Sequence, residues 1–253
     1  MIRVRTLVWL LPLLAAIILV ALFPASWAWR LARAHASGVQ VEAVHGSVWN
    51  GRAEGVAYDG IPFGEVHWAL SRVALFGRVK LDLHLDGPLL QGRGYFERRD
   101  DAVIGERLHA VVHAQALPVT IGSPGLRPMG EVVVDIPRLR VRGRWPEQLD
   151  GTVTWSQAAL VDAQGPVALG TLRARLHERA ATTLEVQLSD DGGPLALSGQ
   201  AQASLLGWRL DARLQARNNA PRLRQVLSHL GTLQQDGTLI VRREGGAVMG
   251  AAR

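Results

Sequence analysis

The sequence predicts an all-β fold: an antiparallel, strand-rich region carried behind a single N-terminal membrane span. Three observations predict it. An uncharged run fills the N-terminus, period-two alternation restarts repeatedly after glycine, and Asp-Gly or Gly-Gly pairs separate the alternating stretches.

The span comes first. Between Arg5 and Arg30 lie 24 uncharged residues, Thr6 to Trp29, almost wholly apolar from Leu7 to Phe23. As a helix they would measure roughly 36 Å, enough for a hydrocarbon core of about 30 Å. Arg3 and Arg5 precede the run and place the short N-terminus in the cytoplasm by the positive-inside bias. Trp27 and Trp29 fall where the far interface should be, and Pro24 marks the end of the straight helix. A cleaved signal peptide is the competing reading, with Ala32-Arg33-Ala34 and Ala34-His35-Ala36 as small-x-small sites. The apolar run is too long for a signal core, and Arg30 and Arg33 crowd those sites. Residues 1–36 are therefore read as cytoplasmic tip, retained anchor and linker. The expected location is the inner membrane, with the bulk of the chain, 37–253, in the periplasm.

The strands follow. In Gly64-Glu65-Val66-His67-Trp68-Ala69-Leu70 the odd-numbered residues face one way, and Val66, Trp68 and Leu70 the other. Residues 77–86, 130–136, 151–155, 170–176, 183–188, 195–205, 208–214 and 237–241 repeat the pattern. Alternation puts one face of each strand on a core and the other in water, a habit of antiparallel sheets. Asp59-Gly60, Asp86-Gly87, Asp150-Gly151, Asp190-Asp191-Gly192-Gly193 and Asp236-Gly237 supply turn chemistry. Beyond residue 38 one segment reads as a helix, 219–231. Leu223, Val226, Leu227 and Leu230 lie on one face, with Asn219 as N-cap, Pro221 in the first turn and Gly231 at the end. Whether the sheet closes into a sandwich or stays an open curved groove is left open. So is the meaning of Gly-x-Val-x-Trp at both Gly64 and Gly151. It reads either as two similar β-units, 37–125 and 126–253, or as the ordinary self-similarity of a glycine-turned sheet.

Composition narrows the function. The chain has 253 residues, of which 48% are apolar and 20% charged, an ordinary balance for a folded protein. No cysteine is present, which removes disulfide scaffolds, zinc ribbons, iron–sulfur clusters and thiol chemistry. Lys80 is the only lysine among 28 basic residues, and no dense basic run interleaved with aromatics argues for nucleic acid. No GxSxG elbow or phosphate loop occurs, and Gly92-Arg93-Gly94 lacks the third glycine of a dinucleotide loop. His109 and His113 have the spacing of a helical metal pair, but their segment alternates as a strand, so they are expected to face solvent. Asp100-Asp101 and Asp190-Asp191 read as turn caps rather than catalytic carboxylates. Arg138, Arg140, Arg142 and Arg144 form a stripe read as a solvated or protective face. Trp49, Trp68, Trp145, Trp155 and Trp208 read as core anchors.

Taken in order, these elements resemble the type II secretion system protein N family. The resemblance rests on the anchor, then Gly46-Ser47-Val48-Trp49-Asn50-Gly51, Gly64 to Trp68 and Phe76-Gly77. Gly151 to Trp155, Gly207-Trp208, Pro221, the helix end at Leu227 to Gly231, and Asp236-Gly237 complete it. The chain departs from the pattern after Gly246, where an apolar strand is expected and Ala247 to Arg253 is thin. The family implies a non-enzymatic component with no cofactor, metal or catalytic residue. Its implied partners are the inner-membrane platform of the secretion machine and, beyond it, the outer-membrane secretin. A rival reading keeps the architecture and changes the task. In AsmA-like and lipopolysaccharide-transport proteins a half-apolar β-groove carries lipid.

Overall fold

The computed structural model describes residues 23–33, 36, 38–117, 125–143, 145–180 and 182–246. By their contacts they divide into two compact units, Met1–Pro88 and Leu89–Arg253. That division is a matter of packing. It is separate from the expected likeness between 37–125 and 126–253, which concerns sequence.

The first unit begins with helix α1 (Ala25–Ala32), followed by β1 (Val39–Gln40), β2 (Ala43–Gly46), β3 (Asn50–Tyr58) and β4 (Ile61–Leu70). A 3₁₀ turn (Arg72–Phe76) then leads into β5 (Val79–Asp86). Strand β3 is flanked on one side by β1 and β2 and on the other by β4, which pairs with β5, all antiparallel. The register sets Val66 against Leu85, Trp68 against Leu83 and Leu70 against Leu81. The expected apolar face is therefore continuous, with Glu65, His67, Asp82 and His84 exposed on the reverse. Its six apolar side chains are half-buried, and in this unit the described cover is one helix rather than a second sheet.

Helix α1 starts at Ala25 because Pro24 before it is extended (φ −65°, ψ 134°) rather than helical. Leu7 and the rest of the expected span up to residue 22 lie outside the described residues. Among the described residues no helix is long and apolar enough to cross a membrane.

The second unit holds β6 (Leu90–Arg99), β7 (Ala102–His113), β8 (Arg127–Arg142), β9 (Trp145–Asp162) and β10 (Gly165–Ala180). It continues with β11 (Thr183–Asp190), β12 (Leu195–Ser204), β13 (Gly207–Ala216), helix α2 (Pro221–Leu230) and β14 (Thr238–Gly246). These nine strands pair antiparallel in chain order. Strands β8 and β9 run to 16 and 18 residues, longer than the alternation suggests. Bulges between Met129 and Glu131, Asp135 and Arg138, and Arg140 and Val141 shift the facing without ending the ladder. Helix α2 lies on this sheet as expected, with Leu223, Val226 and Leu227 each at most 2% exposed. They pack with Leu126, Ala158, Leu160, Val167, Leu169, Leu195 and Leu239. Burying each large side chain stabilises by about 1.5–3 kcal/mol. Two details of the expected helix ends are corrected. Ala220, not Asn219, is the N-cap and offers no side-chain bond. Gly231 is extended at φ 166°, so it is not needed for a left-handed cap. A Cβ there would instead meet Leu239 Cδ1 at 2.9 Å.

Candidate interaction site

The residues singled out in the N-terminal half converge in the first unit. Gly46 has φ +82°, and a Cβ on it would lie 2.6 Å from the Asn50 carbonyl oxygen, so only glycine turns the chain there. The turn is closed by Ser47 N–H donating to the Asn50 carbonyl at 2.9 Å and Asn50 N–H donating to Ser47 Oγ at 3.2 Å. On the next strand, a Cβ at Gly51 would fall 2.5 Å from Trp68 Cζ2 and 2.7 Å from the His45 carbonyl oxygen. The missing side chain is what lets the indole lie flat on β3. Trp68 Nε1 then donates to the Val48 carbonyl at 3.1 Å, and Gly64, at φ +77°, passes within a Cβ's reach of Asp86 and Gly87.

The same turn receives the end of the apolar N-terminal run. Val48 N–H donates to the Phe23 carbonyl at 3.0 Å, and Pro24 bridges to Ser47. From there α1 crosses the apolar face, presenting Ala25, Ala28, Trp29 and Ala32 inward. Between helix and sheet lies a hollow of about 360 Å³, walled further by Val39, Val44, Val48, Val56, Val66 and Trp68. None of its lining residues is charged, so its chemistry is apolar contact. Of the expected anchor residues, Phe23 is thus pinned to the turn and Trp29 faces the hollow, while Trp27 is 62% exposed.

The residues from the C-terminal half belong to the second unit. Gly151 gives way to the Asp135 carbonyl oxygen and Ile136, each within 2.8 Å of a Cβ. Trp155 Nε1 donates to the Met129 carbonyl at 2.9 Å. Gly207 lies against the Gly245 carbonyl oxygen, and the Trp208 ring covers Gly245. Gly237, at φ +79°, makes the turn into β14. Gly64 and Gly151, alike in sequence, therefore serve different purposes. The first needs a positive φ, and the second needs only space. Of the five tryptophans expected as core anchors, Trp145 alone is buried. Trp208 is 39% exposed and Trp68 half-buried, because one helix over a sheet seals only the strip beneath it.

The polar groups resolve into structure. His109 Nδ1 meets Asp135 Oδ1 at 2.5 Å across β7 and β8, and His113 is exposed. Among the described residues no three His, Asp or Glu side chains are grouped to hold a metal ion. Arg140 and Arg142 both pair with Glu147, at 3.2 and 2.9 Å, and Arg142 also with Asp101 at 3.1 Å. Asp190 does cap its turn, accepting Gly192 N–H at 2.8 Å, but it does more. It accepts Leu197 N–H at 2.9 Å and Arg217 Nη1 at 2.6 Å, tying β11, β12 and the end of β13 together. Burial would raise its pKa. The Arg217 guanidinium and the two backbone N–H groups outweigh that and hold it at about 2.

A family model described as Type II secretion system (T2SS), protein N, matches residues 37–242. The chain belongs to this family. A type II secretion system protein N of Klebsiella pneumoniae is 25% identical over 240 residues, covering 92% of this chain and 93% of its own length. One of Vibrio cholerae is also 25% identical, over 146 residues, covering 53% of this chain and 56% of its own length. No solved structure gives a significant match. As a member of this family, the chain is a component of the type II secretion system, a protein-transport machine. The turn at Gly46–Gly51, the Gly64–Trp68 strand and the C-terminal Gly-Trp pairs lie inside the matched span.

Proposed function

We propose that this chain is a non-enzymatic scaffold of the type II secretion system, anchored in the inner membrane by the part of the Thr6–Trp29 run that precedes helix α1. Its β region lies in the periplasm, where it assists export of folded proteins across the outer membrane. The observation that carries the reading is the family match across 37–242. It is supported by a candidate site built from apolar contacts and from hydrogen bonds that each involve a backbone group. Such a site suits holding and docking rather than bond-making. The uncharged N-terminal run supports the anchor, and Val48 N–H, donating to the Phe23 carbonyl, ties the end of that run to the Gly46–Gly51 turn. The proposed partners are the inner-membrane platform proteins and the outer-membrane secretin. Deleting the gene should leave folded, active substrate in the periplasm, and the full chain should fractionate with inner membrane. Undiminished export in the deletion strain would refute the role, and an N-terminus beginning near His35 or Ser37 would refute the anchor.

A second reading, lipid handling, is favoured by one specific observation. Val66, Trp68, Leu70, Leu81, Leu83 and Leu85 form a half-buried apolar face beside an open apolar hollow. Lipid co-purifying in native mass spectrometry, and lost together with export on narrowing the hollow by Ala28→Leu, would favour it.

A further inference from the structure

We propose that the 3₁₀ turn Arg72–Phe76 is a second membrane contact, dipping into the surface of the bilayer that the N-terminal run enters. The inference rests on the anchor reading above.

Phe76 is 86% exposed, Leu75 58% and Val73 41%, three apolar side chains on one five-residue turn. Single exposed apolar residues need no explanation, but a turn offering three of them does. The turn is not slack. Ser71 Oγ accepts Val73 N–H at 3.4 Å, and Gly77 closes the other end in the left-handed conformation with its N–H on Ala74. The backbone is therefore held in a shape that pushes Leu75 and Phe76 outward. Arg72 and Arg78 flank it, exposed and without an ion pair among the described residues. Apolar tip residues with basic neighbours match the two layers of a bilayer surface. The tip enters the acyl boundary and the guanidinium groups remain among anionic headgroups.

The place in the fold names the occupant. A run of hydrogen bonds joins the turn to the exit of the N-terminal run: Val48 N–H to the Phe23 carbonyl, Leu70 N–H to the Trp49 carbonyl, and Ser71 N–H to the Lys80 carbonyl. Each step crosses to a neighbouring strand. Phe23 and the turn thus sit at the same end of this sheet, two or three strand spacings apart, roughly 10–15 Å. The Asp59–Gly60 turn lies at the far end of β3 and β4. A chain leaving the bilayer at Phe23 brings Phe76 to the same surface and keeps Tyr58 away from it. On α1, Trp27 and Leu31, four residues apart, are 62% and 71% exposed and add apolar surface next to that exit.

The test uses the absence of cysteine from the chain. Full-length Leu13→Cys, Val73→Cys, Phe76→Cys and Tyr58→Cys are each labelled with an environment-sensitive fluorophore. They are then reconstituted into vesicles of phosphatidylethanolamine and phosphatidylglycerol. Labels at 13, 73 and 76 should shift to the blue and be quenched by nitroxide-bearing lipid, while the label at 58 stays in water. Adding Phe76→Asp to Val73→Cys should abolish quenching at 73, and leave circular dichroism unchanged because Phe76 supports no packing. Quenching at 13 with 73 and 76 as wet as 58 would overturn the proposal and leave the anchor standing. A dry label at 76 only after other secretion proteins are added would make the turn a protein contact and overturn it. No quenching at 13 would overturn the anchor reading and this inference with it.

Discussion

Removing the Trp68 indole measures how far the first unit is sealed. Its ring lies on Gly51, borders the apolar hollow and donates to the Val48 carbonyl at 3.1 Å. A sealed site would lose about 3–5 kcal/mol on Trp68→Ala. Here the ring is half-buried. Taking roughly 100 Å² as the apolar area it hides, at about 25 cal/mol per Å², gives about 2.5 kcal/mol. The freed Val48 carbonyl opens onto the hollow and regains water, so the lost hydrogen bond adds at most about 0.5–1 kcal/mol. The expected cost is about 2.5–3.5 kcal/mol for Trp68→Ala and about 1–1.5 kcal/mol for Trp68→Phe, which keeps a smaller aromatic ring and loses the donor. The assay is urea denaturation, followed by far-ultraviolet circular dichroism, of a chain beginning at Phe23 so that α1 is retained. A Trp68→Ala loss above about 4 kcal/mol would mean that another layer covers this face in solution. A loss below about 1 kcal/mol would mean that the ring is not part of the packed fold, refuting the assigned role of Gly51 and the hollow.

Other consequences can be checked alongside. Asp190 should contribute about 2.5 kcal/mol at most, from a carboxyl held at about 2 against an ordinary value near 3.8. Because the folded pKa is the lower one, this stability is present above about pH 4 and lost as pH falls toward 2. Asp190→Asn should flatten that acid limb in pH-dependent denaturation, and an unchanged limb would remove Asp190 from the account. Gly64→Ala should destabilise by more than Gly60→Ala, measured by thermal melting. Both have positive φ, but only Gly64 would also drive a Cβ into Gly87 Cα and the Asp86 carbonyl. Alanine at Asp100, His109 or His113 should leave export intact, since these groups sit in turns and exposed strand faces. Lost export with normal protein abundance would expose a missed site. A chain beginning at Ser37 lacks α1 and uncovers Val39, Val44 and Val48. It should self-associate, by analytical ultracentrifugation, where a chain beginning at Phe23 stays monomeric.

Much of the fold is local and was legible as such. Alternation is a property of neighbouring residues, so the paired faces of β4 and β5 and the apolar stripe of α2 could be read directly. Glycines at turns, such as Gly46 and Gly237, declare themselves because φ is decided within a residue or two. The bulged strands β8 and β9 were legible only in pieces. A bulge flips the facing while the ladder continues, and the partner strand, not the residue, maintains it. Helix α1 was hidden where it overlaps the end of the uncharged run, although Ala25, Ala28 and Ala32 carry a small-residue face at helical spacing.

The candidate site divides in the same way. From sequence, Gly51 was a family-pattern residue and Trp68, 17 positions on, a core anchor, with nothing linking the two. That one is the seat of the other depends on strand register, a long-range choice. Asp190 likewise read as a turn residue, which it is. Its pairing with Arg217, 27 residues on, needed two further strands to be laid between them. The sequence by itself determined most of the strands, helix α2, the all-β class and most of the residues able to turn tightly, because those follow from steric preference and period over a few residues. Only the tertiary structure decided which glycine makes room for which ring, where the apolar run meets the sheet, and which apolar faces stay half-open. Those follow from which distant strands pair and from how little of a sheet one helix can cover.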